Sequence, residues 1–262
     1  MFKLTVHNIR TAGIVLVCLI TLLVSGCSVT PQIDPTLPDE VPIHTAEEVL
    51  TPGTIYASDV YDPIEGFNRR SYAFNYYFDK YVFLPIVAVY EFILPDFVED
   101  RISNFVDNIF EFTNFTNNVL QLKPDPAAIT LGRFVLNTTV GVAGLWDPAT
   151  YFGLERQTED FGQTLGHYGV GDGPYIVLPI LGPSNLRDTT GLVVDTVAFS
   201  LFVDEVQSDS MDDNDVHLIF SGVAAVDKRH RQSFRYYQTG TPFEYETIRM
   251  LYRSKRQIEI AK

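Results

Sequence analysis

The chain has 262 residues and a formal net charge of −14, with 33 acidic side chains against 19 basic ones, yet 46% of its residues are hydrophobic and 13% aromatic. So acidic a chain does not grip nucleic acid or anionic lipid through bulk charge. High acidity beside high apolar content suits a protein that meets a membrane by apolar contact.

The first ten residues carry Lys3 and Arg10 and no acid, and Thr11 to Val24 is an uncharged apolar run. About 20 apolar residues are needed to span a bilayer, so this run reads as a secretory signal, residues 1–26, and not as a transmembrane helix. Val24-Ser25-Gly26-Cys27 resembles the bacterial lipoprotein signal, in which the cysteine becomes the lipid-carrying N-terminus. Cys27 is therefore the expected lipidation site. Cys18 leaves with the signal, so the mature chain is expected to hold no disulfide and to depend on burial for its stability. Its 17 basic and 33 acidic residues give a net charge of −16. An acylated residue anchors a protein to a membrane without requiring it to span. Ser28, where an aspartate would resemble an inner-membrane retention signal, points to the outer membrane.

Residues 27–58, with Pro31, Pro35, Pro38, Pro42 and Pro52, read as an extended tether, and 59–262 as one domain. Asp62-Pro63-Ile64-Glu65 predicts a helix start, with Asp62 as cap and Ile64, Phe67, Phe74, Phe78 and Tyr81 at helical spacing. Pro85 opens a nearly all-apolar segment. Phe97, Ile102, Phe105, Ile109 and Phe112 mark a third helix. Asp125-Pro126 opens a fourth, to about Thr139, and Asp147-Pro148 a short one. Ser184 is the expected cap of a helix to about Val203, and two charged helices, near 214–237 and 242–259, close the chain. Tyr175 to Leu181 is the best strand candidate, weakened by Pro179. The fold class is mainly α. Two stretches, 82–94 and 191–203, are apolar round more of their circumference than a core-facing stripe requires, which fits either burial or contact with acyl chains.

Catalytic chemistry finds little support. There is no HExxH, no GxSxG elbow, and no lysine after the glycines at 162, 166, 169, 171 and 173 to make a phosphate loop. No cofactor or metal is implied. Asp212 to Asp215 lacks the glycine and the distal glutamate of a calcium loop. Asp160, Asp172, Asp188 and Asp195 could pair as catalytic carboxylates, with nothing to rank them. The basic stretches 227–237 and 249–256 read as a solvated face, or else as a docking face or headgroup-level anchors.

Three stretches resemble one family: DPIEGFNRRSYAFN from 62, FVLNTTVGVAGLWDPA from 134, and TEDFGQTLGHYGVGDGPYIVLPILGPSNLRD from 158. They are similar to the VacJ/MlaA lipoproteins over about Asp62 to Arg253, with departures in the tether and in the acid-rich stretch 204–217. The resemblance implies an outer-membrane lipoprotein on the periplasmic side, built as a ring of helices in the inner leaflet around an amphipathic channel. It implies removal of mislocalised phospholipid from the outer leaflet and its transfer to a soluble periplasmic carrier (MlaC-like), maintaining lipid asymmetry. It also implies association with a trimeric porin and no covalent chemistry, so the protein is not expected to be an enzyme. The rival readings are a lipid-modifying enzyme and a structural, porin-bracing lipoprotein. Within this frame, Asn137, Thr138, Thr139, Phe161, Tyr168 and Tyr175 are candidates for contact with lipid or channel, and Gly141 and Gly144 for a hinge.

Overall fold

The computed structural model describes residues 60–206 and 213–262. The signal segment, Cys27 and the tether lie outside the described residues. The domain is mainly helical, as expected, and its order is α1 (Glu65–Phe78), a π-helical turn (Asp79–Phe83), α2 (Leu84–Ile93), α3 (Asp96–Leu120), α4 (Pro124–Thr139), α5 (Pro148–Tyr151), α6 (Phe161–His167), β1 (Tyr175–Leu178), β2 (Gly182–Asn185), α7 (Leu186–Val206), α8 (Asp213–His230) and α9 (Glu244–Ile260).

The first helix begins later than the Asp-Pro signal suggests, at Glu65, and no side chain caps it. Asp62 is engaged elsewhere: it accepts from Asn68 Nδ2 at 2.7 Å, Tyr245 OH at 2.6 Å and Arg249 Nη1 at 3.1 Å. It thus ties the start of the domain to its last helix. Pro85 does not break the chain. Pro needs no amide hydrogen in a first turn, and α1 runs into α2 through the π turn. That turn faces Asp79 inward, where Arg229 holds both carboxylate oxygens, at 2.5 and 2.8 Å. The real break is at Leu94-Pro95, both extended. There the rod of α1 and α2 meets α3 at a bend of 120°. No single described helix is long and apolar enough to cross a membrane.

Tyr175 to Leu178 is a strand after all, because Pro179 falls just beyond it and interrupts no ladder bond. It pairs antiparallel with Gly182–Asn185, Tyr175 facing Asn185. The other edge of β1 is closed by side chains. Asn68 accepts from Val177 N–H at 2.8 Å and donates to Tyr175 O at 2.9 Å. Asn75, two turns along α1, does the same for Ile180 N–H and Leu178 O. Carboxamides at i and i+7 therefore stand in for a third strand and protect an edge that would otherwise invite pairing. Ser184 lies in β2 and does not cap α7. Asn185 does so, its Oδ1 accepting from Asp188 N–H at 2.7 Å.

The burial pattern inverts that of a water-soluble domain. Among the described residues nine hydrophobic side chains are buried against 24 polar or charged ones. The apolar nucleus is small and aromatic: Tyr72, Tyr175, Val177 and Tyr245, with Tyr72 and Tyr245 edge to face at 5.9 Å. Meanwhile Ile86, Val89, Phe92 and Ile93 on α2, and Leu186, Val193, Val197 and Leu201 on α7, are exposed. Phe67 and Phe74 of α1 and Tyr81 of the π turn also face outward. Asn68, Ser71, Tyr72 and Asn75 occupy the buried face instead.

Candidate functional site

The polar interior is organised by α3. Asn104, Asn108, Glu111, Asn114, Asn118 and Gln121 recur every three or four residues and so share one face of a helix. Asn104 donates to Leu145 O at 3.3 Å, and Asn108 to Thr138 Oγ1 at 3.0 Å. Asn114 Oδ1 accepts from Glu159 N–H at 3.1 Å. Asn117 donates to Asp195 of α7 at 2.9 Å and accepts from Thr164 of α6 at 2.8 Å. Gln121 donates to Glu159 at 2.9 Å. A buried amide without a partner costs about 1–3 kcal/mol, so this ladder specifies how four elements pack round α3.

A chain of charges runs along the same face. Arg231 of α8 grips Asp107 with two nitrogens, at 2.9 and 3.1 Å, and Asp227 at 2.6 Å. Arg156 bridges Asp107 at 2.5 Å and Glu111 at 3.6 Å. Arg133, 1% exposed, meets the fully buried Glu111 at 2.6 Å and Asp147 at 3.0 Å. Burial works to raise the Asp147 pKa, but hydrogen bonds from Thr150, Arg133 and Asn137 outweigh it and leave the group at about 2. A second cluster joins α6, α7 and α9. Arg256 donates to both oxygens of Asp160, at 2.7 and 2.8 Å, and of Asp188, at 2.9 and 3.1 Å. Burial again opposes ionisation of Asp188, and donors from Arg256, Arg187 and Tyr252 prevail, so its pKa is lowered. Asp160 and Asp188, considered above as possible catalytic acids, are thus held as ion-pair partners. Asp195 differs: burial raises its pKa despite bonds from Phe161 N–H and Asn117.

The other candidate residues fall in three settings. Asn137 is buried, donating to Asp147 at 3.0 Å and accepting from Ala149 N–H at 3.0 Å, so it pins the loop that follows α4. Thr138 and Thr139 are exposed beside it, with Thr139 bonded back to Val135 O at 2.6 Å. In that loop Val142, Ala143 and Gly144 all have positive φ, at 52°, 57° and 87°. Two non-glycine residues there hold a conformation that L side chains resist. Gly141 and Gly144 are both buried: a Cβ on Gly141 would stand 2.3 Å from Trp146 O, and one on Gly144 2.7 Å from Asn108 Cβ. Tyr168 is exposed and donates to Leu120 O at the end of α3, at 2.6 Å. Phe161 is half-buried at the start of α6, and Tyr175 lies in the aromatic nucleus at 1% exposure.

The glycine-rich stretch 161–175 proves to be a helix crossing followed by a turn. A Cβ on Gly191 of α7 would lie 2.3 Å from the backbone nitrogen of Gly162 in α6. Only glycine on both sides allows that approach. A cleft of about 270 Å³ opens beside Val60, Tyr61, Asp172, Gly173 and Arg253. Small-molecule sites run from about 300 Å³ upward, so the cleft does not hold a two-chain lipid whole.

Comparison with known proteins places this architecture. An uncharacterized protein of Rickettsia prowazekii is 42% identical over 142 residues, 54% of this chain and 57% of that one. The intermembrane phospholipid transport system lipoprotein MlaA of Escherichia coli K12 is 39% identical over 138 residues, 51% of this chain and 55% of its own. The chain thus matches just over half the length of these curated relatives. A chain solved in work on the structural basis for maintenance of bacterial outer membrane lipid asymmetry superposes with a TM-score of 0.61 at 29% identity, over 77% of this chain and 100% of that chain. The family described as MlaA lipoprotein matches residues 60–259, from the first described residue almost to the end of α9, and the chain belongs to that family.

Proposed function

We propose that this protein sits in the outer membrane, anchored through Cys27 on the periplasmic side, and removes mislocalised phospholipid from the outer leaflet. It passes the lipid to a soluble periplasmic carrier (MlaC-like) and so maintains lipid asymmetry. The observation that carries this reading is the inverted burial: a polar, hydrogen-bonded interior inside an apolar exterior. Burying one large apolar side chain is worth about 1.5–3 kcal/mol. Water around the faces of α2 and α7 would forgo that repeatedly in a molecule whose whole stability is of order 5–15 kcal/mol. Acyl chains are the solvent those faces fit, and the polar interior fits a headgroup.

A lipid leaving the membrane must be shielded, since exposing each CH₂ costs about 0.8 kcal/mol. A channel wet on one wall and apolar on the other supplies such a path without chemistry, so the protein acts as a passive conduit and not as an enzyme. Direction comes from the affinity of the carrier. Thr138 and Thr139, exposed at the end of α4, line the path near its mouth, with Tyr168 and Phe161 beside the α3–α6 junction. Asn137 and Tyr175 hold the surrounding backbone in place. The strained loop from Gly141 to Asp147 is the gate, with Gly141 and Gly144 as its hinge. A trimeric porin braces the apolar exterior.

In cells lacking the protein, phospholipid accessible to external phospholipase should rise, and the wild-type gene should return it to baseline. An unchanged outer leaflet, or lysolipid made by purified protein, contradicts the reading. In the same assay Gly144→Ala, whose methyl meets Asn108, should disturb the outer leaflet while the protein still folds. A normal outer leaflet in that folded variant removes the hinge from the account.

A further inference from the structure

Most arginines of the interior are spent on the protein's own acids. Arg133, Arg187, Arg229, Arg231, Arg249 and Arg256 each hold a carboxylate at 3.1 Å or closer. Arg101 does not. Among the described residues its only carboxylate is Asp100, 4.0 Å away on a side chain that is 72% exposed. An exposed pair of that kind contributes at most about 1 kcal/mol. The Nε of Arg101 is buried and has no hydrogen-bond partner.

Two ring contacts and the helical register fix where this side chain lies. Arg101 precedes Asn104 by three residues and Asn108 by seven, so it heads the polar face of α3. Its guanidinium lies over the ring of Phe97, one turn earlier, at 5.7 Å from the centroid, and over the indole of Trp146 at 5.3 Å. Both are within the range of a cation–π contact. Trp146 belongs to the strained loop after α4, and Asn104 fastens that loop through its bond to Leu145 O at 3.3 Å. Phe97 is 63% exposed, the Arg101 side chain 23% and Asn108 3%. The face thus passes from open surface at Phe97 to the interior beneath the loop, and Arg101 stands at the threshold. Asn108 adds a second unfilled group: its Nδ2 donates to Thr138, but its Oδ1 is buried without a partner.

We infer that Arg101, framed by Phe97 and Trp146, takes the phosphate of a glycerophospholipid at the edge of the polar interior. This rests on the conduit reading above and adds to it a residue that recognises the cargo. Ring contacts use the faces of a guanidinium, whereas its N–H donors point outward in the plane. The two rings therefore orient the fork and leave it open to an anion. Phosphate oxygens accept two such donors side by side. Rings that exclude water from the pair strengthen it. A guest on Arg101 also meets Trp146, so loading acts directly on the gating loop. The site reads the phosphate and not the group esterified to it. Phosphatidylethanolamine and phosphatidylglycerol are both ligands, and diacylglycerol is not.

Trp146 is the only tryptophan in the chain, so its emission reports on this site. The full lipidated chain in dodecyl maltoside micelles is titrated with phosphatidylglycerol, and total bound phospholipid is measured as phosphorus after gel filtration. Trp146 emission should change and saturate. Arg101→Gln should move the midpoint to about tenfold higher lipid, the scale of one charge-assisted hydrogen bond. Arg101→Lys, which keeps the charge but not the fork, should fall between. Arg70→Gln, which removes an exposed positive charge on α1, should leave the midpoint in place. Diacylglycerol and inorganic phosphate should not change the emission over the same concentrations. Equal midpoints for wild type and Arg101→Gln, with lipid still bound, overturn the site and leave the conduit standing. No lipid on wild type removes the conduit and the site with it. A shift in Arg70→Gln as large as that in Arg101→Gln makes the effect one of bulk charge. Saturation by inorganic phosphate makes this a free-anion site, and an equal response to diacylglycerol makes it an apolar contact; each of the three overturns the inference.

Discussion

At the scale of single residues, Arg133 organises the interior around α3. Its Nε meets Glu111, one terminal nitrogen meets Thr150 at 3.0 Å, and the other meets Asp147. Arg133→Met keeps the bulk but leaves Glu111 charged and buried with Asn114 Nδ2 at 3.1 Å and, as its one remaining cation, the more distant Arg156 at 3.6 Å. Breaking a buried pair in this way costs about 3–5 kcal/mol, which denaturant unfolding in detergent should record. An unfolding midpoint that stays in place means water reaches Glu111 freely. Asp147 makes a pH prediction. Its folded pKa of about 2 lies below the ordinary carboxylate value of 3.8, so it stabilises the fold above the ordinary value. That contribution drains away as pH falls from about 4 through 2, and it adds no pH dependence near neutrality. An acid titration of Asp147→Asn should lack this component; identical acid curves for variant and wild type refute the assignment. Arg133 was not singled out by the sequence, and Asp147 was read only as the start of the short helix that it does cap. The asparagines of α3 are in plain view, but an Asn-rich helical face ordinarily faces water, and spacing does not say which solvent lies on which side.

At the scale of elements, the close crossing of α6 and α7 makes the sharpest prediction. Gly191→Ala drives a methyl into the Gly162 backbone, which has no side chain to swing aside. Overpacking of this kind costs about 1–3 kcal/mol. Gly171→Ala, with nothing within 4 Å of its added carbon, is the control and should leave the thermal midpoint nearly unmoved. Equal midpoints for both variants place the two helices farther apart than described. Here the sequence was partly legible. Five glycines between 162 and 173 are too many for one continuous helix, and helix α6 does end at His167. The partner Gly191 lies in an apolar run, where nothing local marks it. The same limit explains Ser184 and Asp62. Each is a good cap by local chemistry, but long-range partners decide otherwise: strand pairing takes Ser184, and Tyr245 and Arg249 take Asp62.

At the scale of the whole molecule, eight of the nine described helices and their order could be read from Pro, Gly and hydrophobic spacing, because those signals are local; α6, short and glycine-rich, was not among them. Polarity could not. Periodicity finds the apolar face of a helix but assumes that this face is the inner one. In α1 and α3 the assumption fails, since Phe67, Phe74 and Phe97 look outward while Asn68, Asn75 and Asn108 look inward. The surplus of apolar surface on 82–94 and 191–203 was the available hint, and both segments carry exposed apolar residues. This exchange of inside for outside links the fold to the lipid handling proposed above, because a polar core is stable only when fully bonded and an apolar shell only when lipid covers it.

Spin-label accessibility in lipid bilayers tests that exchange most directly. Nitroxides placed singly at Val193, Val197 and Leu201 on α7, and at Asn104 and Asn108 on the inward face of α3, are compared for collision with oxygen, which concentrates in acyl chains, and with a water-soluble nickel chelate. The three α7 sites should favour oxygen and the two inner sites the chelate. Chelate access at all five positions would mean water surrounds the apolar shell, and would contradict the account.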